Sequence, residues 1–205
     1  MKKSVLTLSL LMTLAGTQAF ASTTDLTITG TITPSACTPT LSNGGVVDYG
    51  RLNVEGLEET AGGYNLPDKA LALTVACGAS TPFALIATDN RRDSTTNPLG
   101  FGMGLHETQP IGTYSMIFTG AELDGQQHGP LTSQDGGTSW SPITNARLLD
   151  SVSYPDYRVG FGATAPVAAT QLNANMAVQA SIAKDLSFND DILLDGSSTL
   201  EIVYL

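Results

Sequence analysis

In six stretches of this chain apolar residues recur at every second position, and turn residues separate the stretches. That period puts alternate side chains on opposite faces of an extended backbone, so it describes strands and not amphipathic helices. Leu26, Ile28, Gly30 and Ile32 share one face, with Thr27, Thr29, Thr31 and Thr33 on the other. Leu71, Leu73 and Val75 repeat the pattern before Cys77, followed by Phe83, Leu85 and Ala87, and then by Met116 and Phe118. Met176, Val178, Ala180 and Ile182 form a longer run, and Leu200, Ile202 and Tyr204 the last one. Asn43-Gly44-Gly45, Ala61-Gly62-Gly63, Asp124-Gly125, Asp135-Gly136-Gly137 and Asp195-Gly196 read as turns between them. No capped stripe at helical spacing occurs. The expected fold is all-β, an antiparallel immunoglobulin-like β-sandwich. From Asp89 to Asn175 the chain is rich in Gly, Ser, Thr and Pro; long loops with two or three strands are expected there. Ala163 to Asn175 reads as strand or as a short helix.

The N-terminus has the form of a secretory signal peptide over residues 1–21. Lys2 and Lys3 precede the eleven-residue apolar run Val5 to Ala15, and Ala19-Phe20-Ala21 is a small-x-small cleavage site. A membrane-spanning helix needs about 20 apolar residues, so the run is short for one. An uncleaved membrane anchor is the rival reading. The mature chain, residues 22–205, is long enough to bury a core of its own. It divides into residues 22–36, an N-terminal extension or first strand, and a sandwich domain over 37–205. Without Lys2 and Lys3 it carries 7 basic against 19 acidic residues, a net charge of −12. Such a surface repels nucleic acid and anionic lipid headgroups, and no basic cluster offsets it.

The mature chain has two cysteines, Cys37 and Cys77. Export would place them in an oxidising compartment, where two cysteines allow one intramolecular disulfide. Closing a loop of about 40 residues stabilises a fold by roughly 4 kcal/mol in the chain-entropy model. Metal ligation or nucleophilic catalysis would need partners, yet neither cysteine lies in a C-x-x-C and both histidines, His106 and His128, are remote in sequence.

The order of these features resembles the chaperone–usher fimbrial subunits, or pilins, of Gram-negative bacteria. Gly30 stands seven residues before Cys37 with Ile32 between them, matching the pilin pattern G-x-[hydrophobic]-x4-C. Val47-Asp48-Tyr49-Gly50 matches V-D-[aliphatic]-G, with tyrosine in the aliphatic slot. The second cysteine ends an alternating strand, and Tyr204 is the penultimate tyrosine of the last one. Within that superfamily, Thr33-Pro34-Ser35-Ala36-Cys37-Thr38-Pro39 and Asp89-Asn90-Arg91 look most like the GltF-like pilin-related periplasmic proteins.

The resemblance implies a sandwich lacking its last strand. In pilins the open edge is filled by a periplasmic chaperone and then by the N-terminal extension of a neighbouring pilus subunit, at an outer-membrane usher. Leu26, Ile28, Gly30 and Ile32 would be the donor positions. Leu200, Ile202, Tyr204 and Leu205 would edge the groove and meet the chaperone. The localisation implied is the periplasm and then a cell-surface fimbrium, with a role in adhesion as a shaft, adaptor or minor subunit. The residues alone leave both roles open: Leu26 to Thr33 also reads as the first strand of its own sheet, and Leu200 to Tyr204 as the closing strand of a complete sandwich.

No catalytic set stands out, and no cofactor or metal is expected. There is no G-x-S-x-G, H-E-x-x-H or EF-hand spacing, and the acidic turns Asn189-Asp190-Asp191 and Asp195 read as solvated faces. The Asp89-Asn90-Arg91-Arg92-Asp93 cluster reads as a salt-bridged turn. Trp140, with Tyr154 and Tyr157 near it in sequence, is a core residue or a platform for a sugar. A self-complete sandwich binding a small ligand or carbohydrate is therefore the alternative function.

Overall fold

The computed structural model describes residues 24–30, 36–95 and 97–205. The chain separates into two units, Met1–Thr33 and Pro34–Leu205. In the first, residues 24–30 carry no regular secondary structure, and Leu26 and Ile28 are 87% and 89% exposed. The reading of Leu26 to Thr33 as a first strand therefore does not hold over 24–30. Ile32 and the signal peptide over 1–21 lie outside the described residues. Among the described residues no helix is long and apolar enough to cross a membrane.

The second unit is built from strands. They begin with β1 (Cys37–Leu41), β2 (Glu58–Thr60), β3 (Gly63–Asn65), β4 (Lys69–Thr81) and β5 (Phe83–Asp89). Then come β6 (Phe101–Gly102), β7 (Leu105–His106), β8 (Gln109–Pro110), β9 (Gly112–Leu123), β10 (Gln126–His128) and β11 (Pro130–Ser133). The rest are β12 (Ser141–Pro142), β13 (Ala146–Arg147), β14 (Arg158–Phe161), β15 (Ala169–Ala183) and β16 (Ser198–Tyr204). The stretch from Asp89 to Asn175 thus holds β6 to β14 and the start of β15, not two or three strands. Of β6 to β14, all but β9 have four residues or fewer, too short for alternation to show in the sequence. From Ala169 the ambiguous stretch is strand.

Two antiparallel sheets face each other. In the larger, β15 pairs with β4 over 169–178, with β3 over 181–183 and with β9 over 172–182. β1 lies outside β4 and β2 outside β3, while β6, β13 and β10 line the far side of β9. The smaller sheet has the order β12-β11-β14-β5-β16, and β7 and β8 form a separate hairpin. Leu73, Val75, Phe118, Leu172 and Met176 from the large sheet meet Phe83, Leu85, Val159 and Phe161 from the small one in a single buried cluster. Phe118 and Phe161 touch edge to face across the gap, 5.6 Å between centroids. Each buried Leu, Val or Phe contributes about 1.5–3 kcal/mol, which makes this layer the main source of stability. The fold is an all-β sandwich. Cys37 and Cys77 sit directly opposite each other in the β1–β4 ladder and form its disulfide.

Candidate functional site

The small sheet ends at β16. That strand pairs with β5 from Ser198↔Asp89 to Tyr204↔Phe83, and its other edge carries no ladder among the described residues. Strand β1 runs beside that edge without pairing to it. At one end the Cys37 amide donates to the Tyr204 hydroxyl at 2.7 Å. Toward the other end, Leu41 and Ser198 stand on opposite walls of a cleft of about 300 Å³. Its floor is the inward face of the large sheet: Leu71 from β4, Met116 from β9, and Met176 and Val178 from β15. Val47 and Tyr49 line it from the β1 side, Leu194 and Gly196 from the β16 side. The large sheet therefore extends apolar side chains past the last strand of the small one. Irregular segments, 46–50 and 194–197, cover them in place of a strand, and Met176 and Val178 remain only 1% and 5% exposed.

Local chemistry explains both covers. After β1 the left-handed residues Asn43, Gly44 and Gly45 (φ 52°, 62° and 80°) turn the chain back over the sheet, as an Asn-Gly-Gly run permits. The Asp48 carboxylate then accepts from the Gly50 amide at 2.7 Å, setting the direction of Tyr49. On the other wall, Asp195 takes two bonds from Arg91, at 2.9 and 3.1 Å, and its own amide donates to the Met103 carbonyl. The bond from Arg91 holds the Asp195 carboxyl below the usual range and raises the guanidinium in turn.

Arg91 belongs to the expected salt-bridged turn. Buried Asp89 accepts from the Arg91 and Gly102 amides, both at 2.8 Å. Arg92 grips Asp150 with two bonds of 2.6 and 3.1 Å, and Asp150 also accepts from the Asp89 amide and from Ser153. Burial alone would raise the Asp150 carboxyl, but Arg92 and these donors outweigh it and hold the group well below its ordinary value. The cluster fastens the wall of the cleft to the body of the sandwich.

Two tyrosines face the cleft. Burial pushes the Tyr114 hydroxyl up to about 12 against the opposing influence of Ser198. Burial, with Asp68 adding to it, also raises Tyr49, whose hydroxyl is sealed from solvent and has no hydrogen-bond partner among the described residues.

Of the expected groove-edge residues, Leu200 and Ile202 are half-buried at the margin of the core. Tyr204 and Leu205 are exposed, and the Leu205 amide donates to the Pro82 carbonyl at 3.2 Å. His106 and His128 fall on β7 and β10, and no cluster of three metal-binding side chains occurs among the described residues. Trp140 is half-buried against Gly160 and donates to the Gly137 carbonyl at 3.0 Å. Periodicity does not reveal the cleft residues as a set, because strands distant in sequence bring them together. Leu71, Met116, Met176 and Val178 were legible as one face of their strands, and Val47 and Tyr49 through the Val-Asp-Tyr-Gly run, but nothing in the sequence marks that they meet.

Residues 26–115 match a family described as protein of unknown function (DUF1120). The chain is similar to two proteins of Escherichia coli strain K12. It is 29% identical to Uncharacterized protein YhcF over 85% of this chain and 87% of that protein. It is 25% identical to Protein GltF over 89% of this chain and 88% of the relative, so the likeness to GltF-like proteins extends over most of the sequence.

Proposed function

We propose that this chain is a non-catalytic, secreted, pilin-like subunit whose sandwich is completed by a strand from another molecule. One observation carries the reading: among the described residues β16 ends the small sheet with an unpaired edge, beside an apolar cleft floored by the opposite sheet. An open edge over apolar side chains is an aggregation hazard unless something fills it. A β-segment added there gains main-chain hydrogen bonds along β16 and seats alternate side chains in the cleft. Leu26 and Ile28 are exposed aliphatics at that spacing, followed by Gly30 and Ile32. Leu200, Ile202, Tyr204 and Leu205 supply the strand to which the segment, or a periplasmic chaperone before it, would add. The partners in this reading are that chaperone, an outer-membrane usher and neighbouring subunits, with the periplasm and then a surface fimbrium as the place of action.

The test compares the mature chain with a form lacking residues 22–33. The intact chain is expected to form a ladder of oligomers that survives electrophoresis in cold detergent, and the deleted form to stay a folded monomer. A synthetic peptide of residues 22–33, at a hundredfold excess over its Kd, should raise the melting temperature of the deleted form by about 5–10 °C. No ladder and no peptide stabilisation would sink the reading.

A second reading has its own support. The cleft floor is almost wholly buried by the chain's own segments, and about 300 Å³ lies within the range of small-molecule sites. A self-complete sandwich that binds a small apolar ligand or carbohydrate predicts the opposite outcome: a monomer with or without residues 22–33, indifferent to the peptide.

A further inference from the structure

Residues 46–50 alternate like a strand but have no ladder. Val47 and Tyr49 are half-buried and line the cleft, whereas Val46, Asp48 and Gly50 are exposed. Among the described residues no strand pairs with this segment, and its hydrogen bonds are local: the Val46 amide donates to the Asn43 carbonyl and the Gly50 amide to Asp48. Beyond apolar contact, its ties to the sandwich are weak. The Lys69 ammonium stands 5.5 Å from the Tyr49 ring centre, and one residue further on Arg51 meets Asp191 at 3.5 Å with both side chains exposed. A second cavity, of about 310 Å³, lies behind Val46, Val47 and Asp48 against Lys69 and Ala70. Left-handed glycines stand at both ends, Gly44 and Gly45 before the segment and Gly50 at its close. The facing wall is fastened: Asp195 holds Arg91 and donates its amide to Met103, and the Ser197 carbonyl accepts from the Asn90 amide at 3.0 Å.

We propose that residues 46–50 form a displaceable strap. In the empty domain Val47 and Tyr49 occupy the cleft in place of a strand, and they leave it when residues 24–30 of a second copy of this chain enter. This inference rests on the strand-completion reading above and adds its regulation. Together with the 194–197 wall, the strap keeps Met176 and Val178 from water until a partner arrives, so the floor is buried although no strand lies over it. It also lowers the apparent affinity of the incoming segment, because entry has to overcome the strap's own hold on the cleft. The occupant is argued from Leu26 and Ile28, exposed aliphatics with the same spacing of two as Val47 and Tyr49.

The experiment uses the mature chain carrying Ile28→Asp, which spoils its own donor face, as recipient, and a fluorescent peptide of residues 22–33 as probe. Adding Val47→Ala trims the strap. The empty recipient should then melt lower by circular dichroism, yet bind the peptide about fivefold more tightly by anisotropy. A side chain that simply lined the peptide's seat would lose affinity when trimmed. Val47→Cys, in place of Val47→Ala, reports the movement directly: a maleimide should label this thiol about fivefold faster once the peptide saturates the recipient. Binding that does not tighten, a melting temperature that does not fall, or labelling that is no faster would overturn the strap, and peptide binding itself would leave strand completion standing. If the peptide binds neither the recipient with Val47 in place nor its Val47→Ala form, the strand-completion reading falls, and this inference with it.

Discussion

At the scale of single residues, Asp150 is a buried carboxylate held by several donors at once. It is 4% exposed and gathers Arg92, the Asp89 amide and Ser153. Asp150→Asn should cost about 2–3 kcal/mol at neutral pH, since Arg92 would lose its counter-charge and the site would keep its donors. The pH dependence follows from the direction of the shift. The folded carboxyl titrates well below the value near 3.9 of an unfolded aspartate, so its contribution is present above about pH 4 and is lost as pH falls further. Urea titrations at pH 7 and pH 3 should therefore show the gap between wild type and Asp150→Asn narrowing in acid. Equal gaps at both values would mean that the pair with Arg92 contributes packing alone. The sequence marked this cluster as a salt-bridged turn because Asp89 to Asp93 is dense in charge. It did not reveal Asp150, some 60 residues away, as the partner of Arg92.

At the scale of elements, the edge strand β1 is tied down by covalent chemistry. Among the described residues it has a single paired neighbour, β4, and Pro39 in its middle lacks an amide to donate, a residue that sheets tolerate at an edge. The double substitution Cys37→Ser/Cys77→Ser should lower the free energy of unfolding by about 4 kcal/mol, measured by urea denaturation, and reductant should reproduce the loss in the wild type. The β2–β3 turn is controlled by Gly63, where φ is +138° and an added Cβ would collide with the Ile182 carbonyl. Gly63→Ala should cost more than about 1 kcal/mol, although the substitution adds only a methyl group. A thermal melt unchanged from wild type would contradict that geometry. The long strands β4, β9 and β15 were legible because each is long enough for its inward side chains to repeat. The two- to four-residue strands between Asp89 and Asn175 were not, since they are too short to repeat a pattern and, the β7–β8 hairpin apart, their pairing is imposed by β9 and the small sheet.

For the molecule as a whole, the chain's charge sets the conditions under which any assembly must be tested. With a net charge of −12 over residues 22–205, repulsion between copies is strong at neutral pH and falls away as the carboxylates protonate in acid. Solubility should pass through a minimum near pH 4, visible as turbidity. Oligomers built by strand addition should instead persist from pH 6 to 8 and in high salt, because they rest on main-chain hydrogen bonds and apolar contacts.

Alternation of apolar residues was sufficient to dictate an all-β chain, and two cysteines in a chain read as exported were sufficient to name the disulfide. Both are local or exhaustive facts: a period of two has one backbone solution, and two thiols have one pairing. Where the small sheet stops relative to the large one was decided only in three dimensions. The cleft lies where β16 ends the small sheet and irregular segments, not a further strand, cover Leu71, Met116, Met176 and Val178, which come from three separate strands. Periodicity records which face of a strand is buried. It carries no record of which strand lies opposite, or of whether one lies there at all.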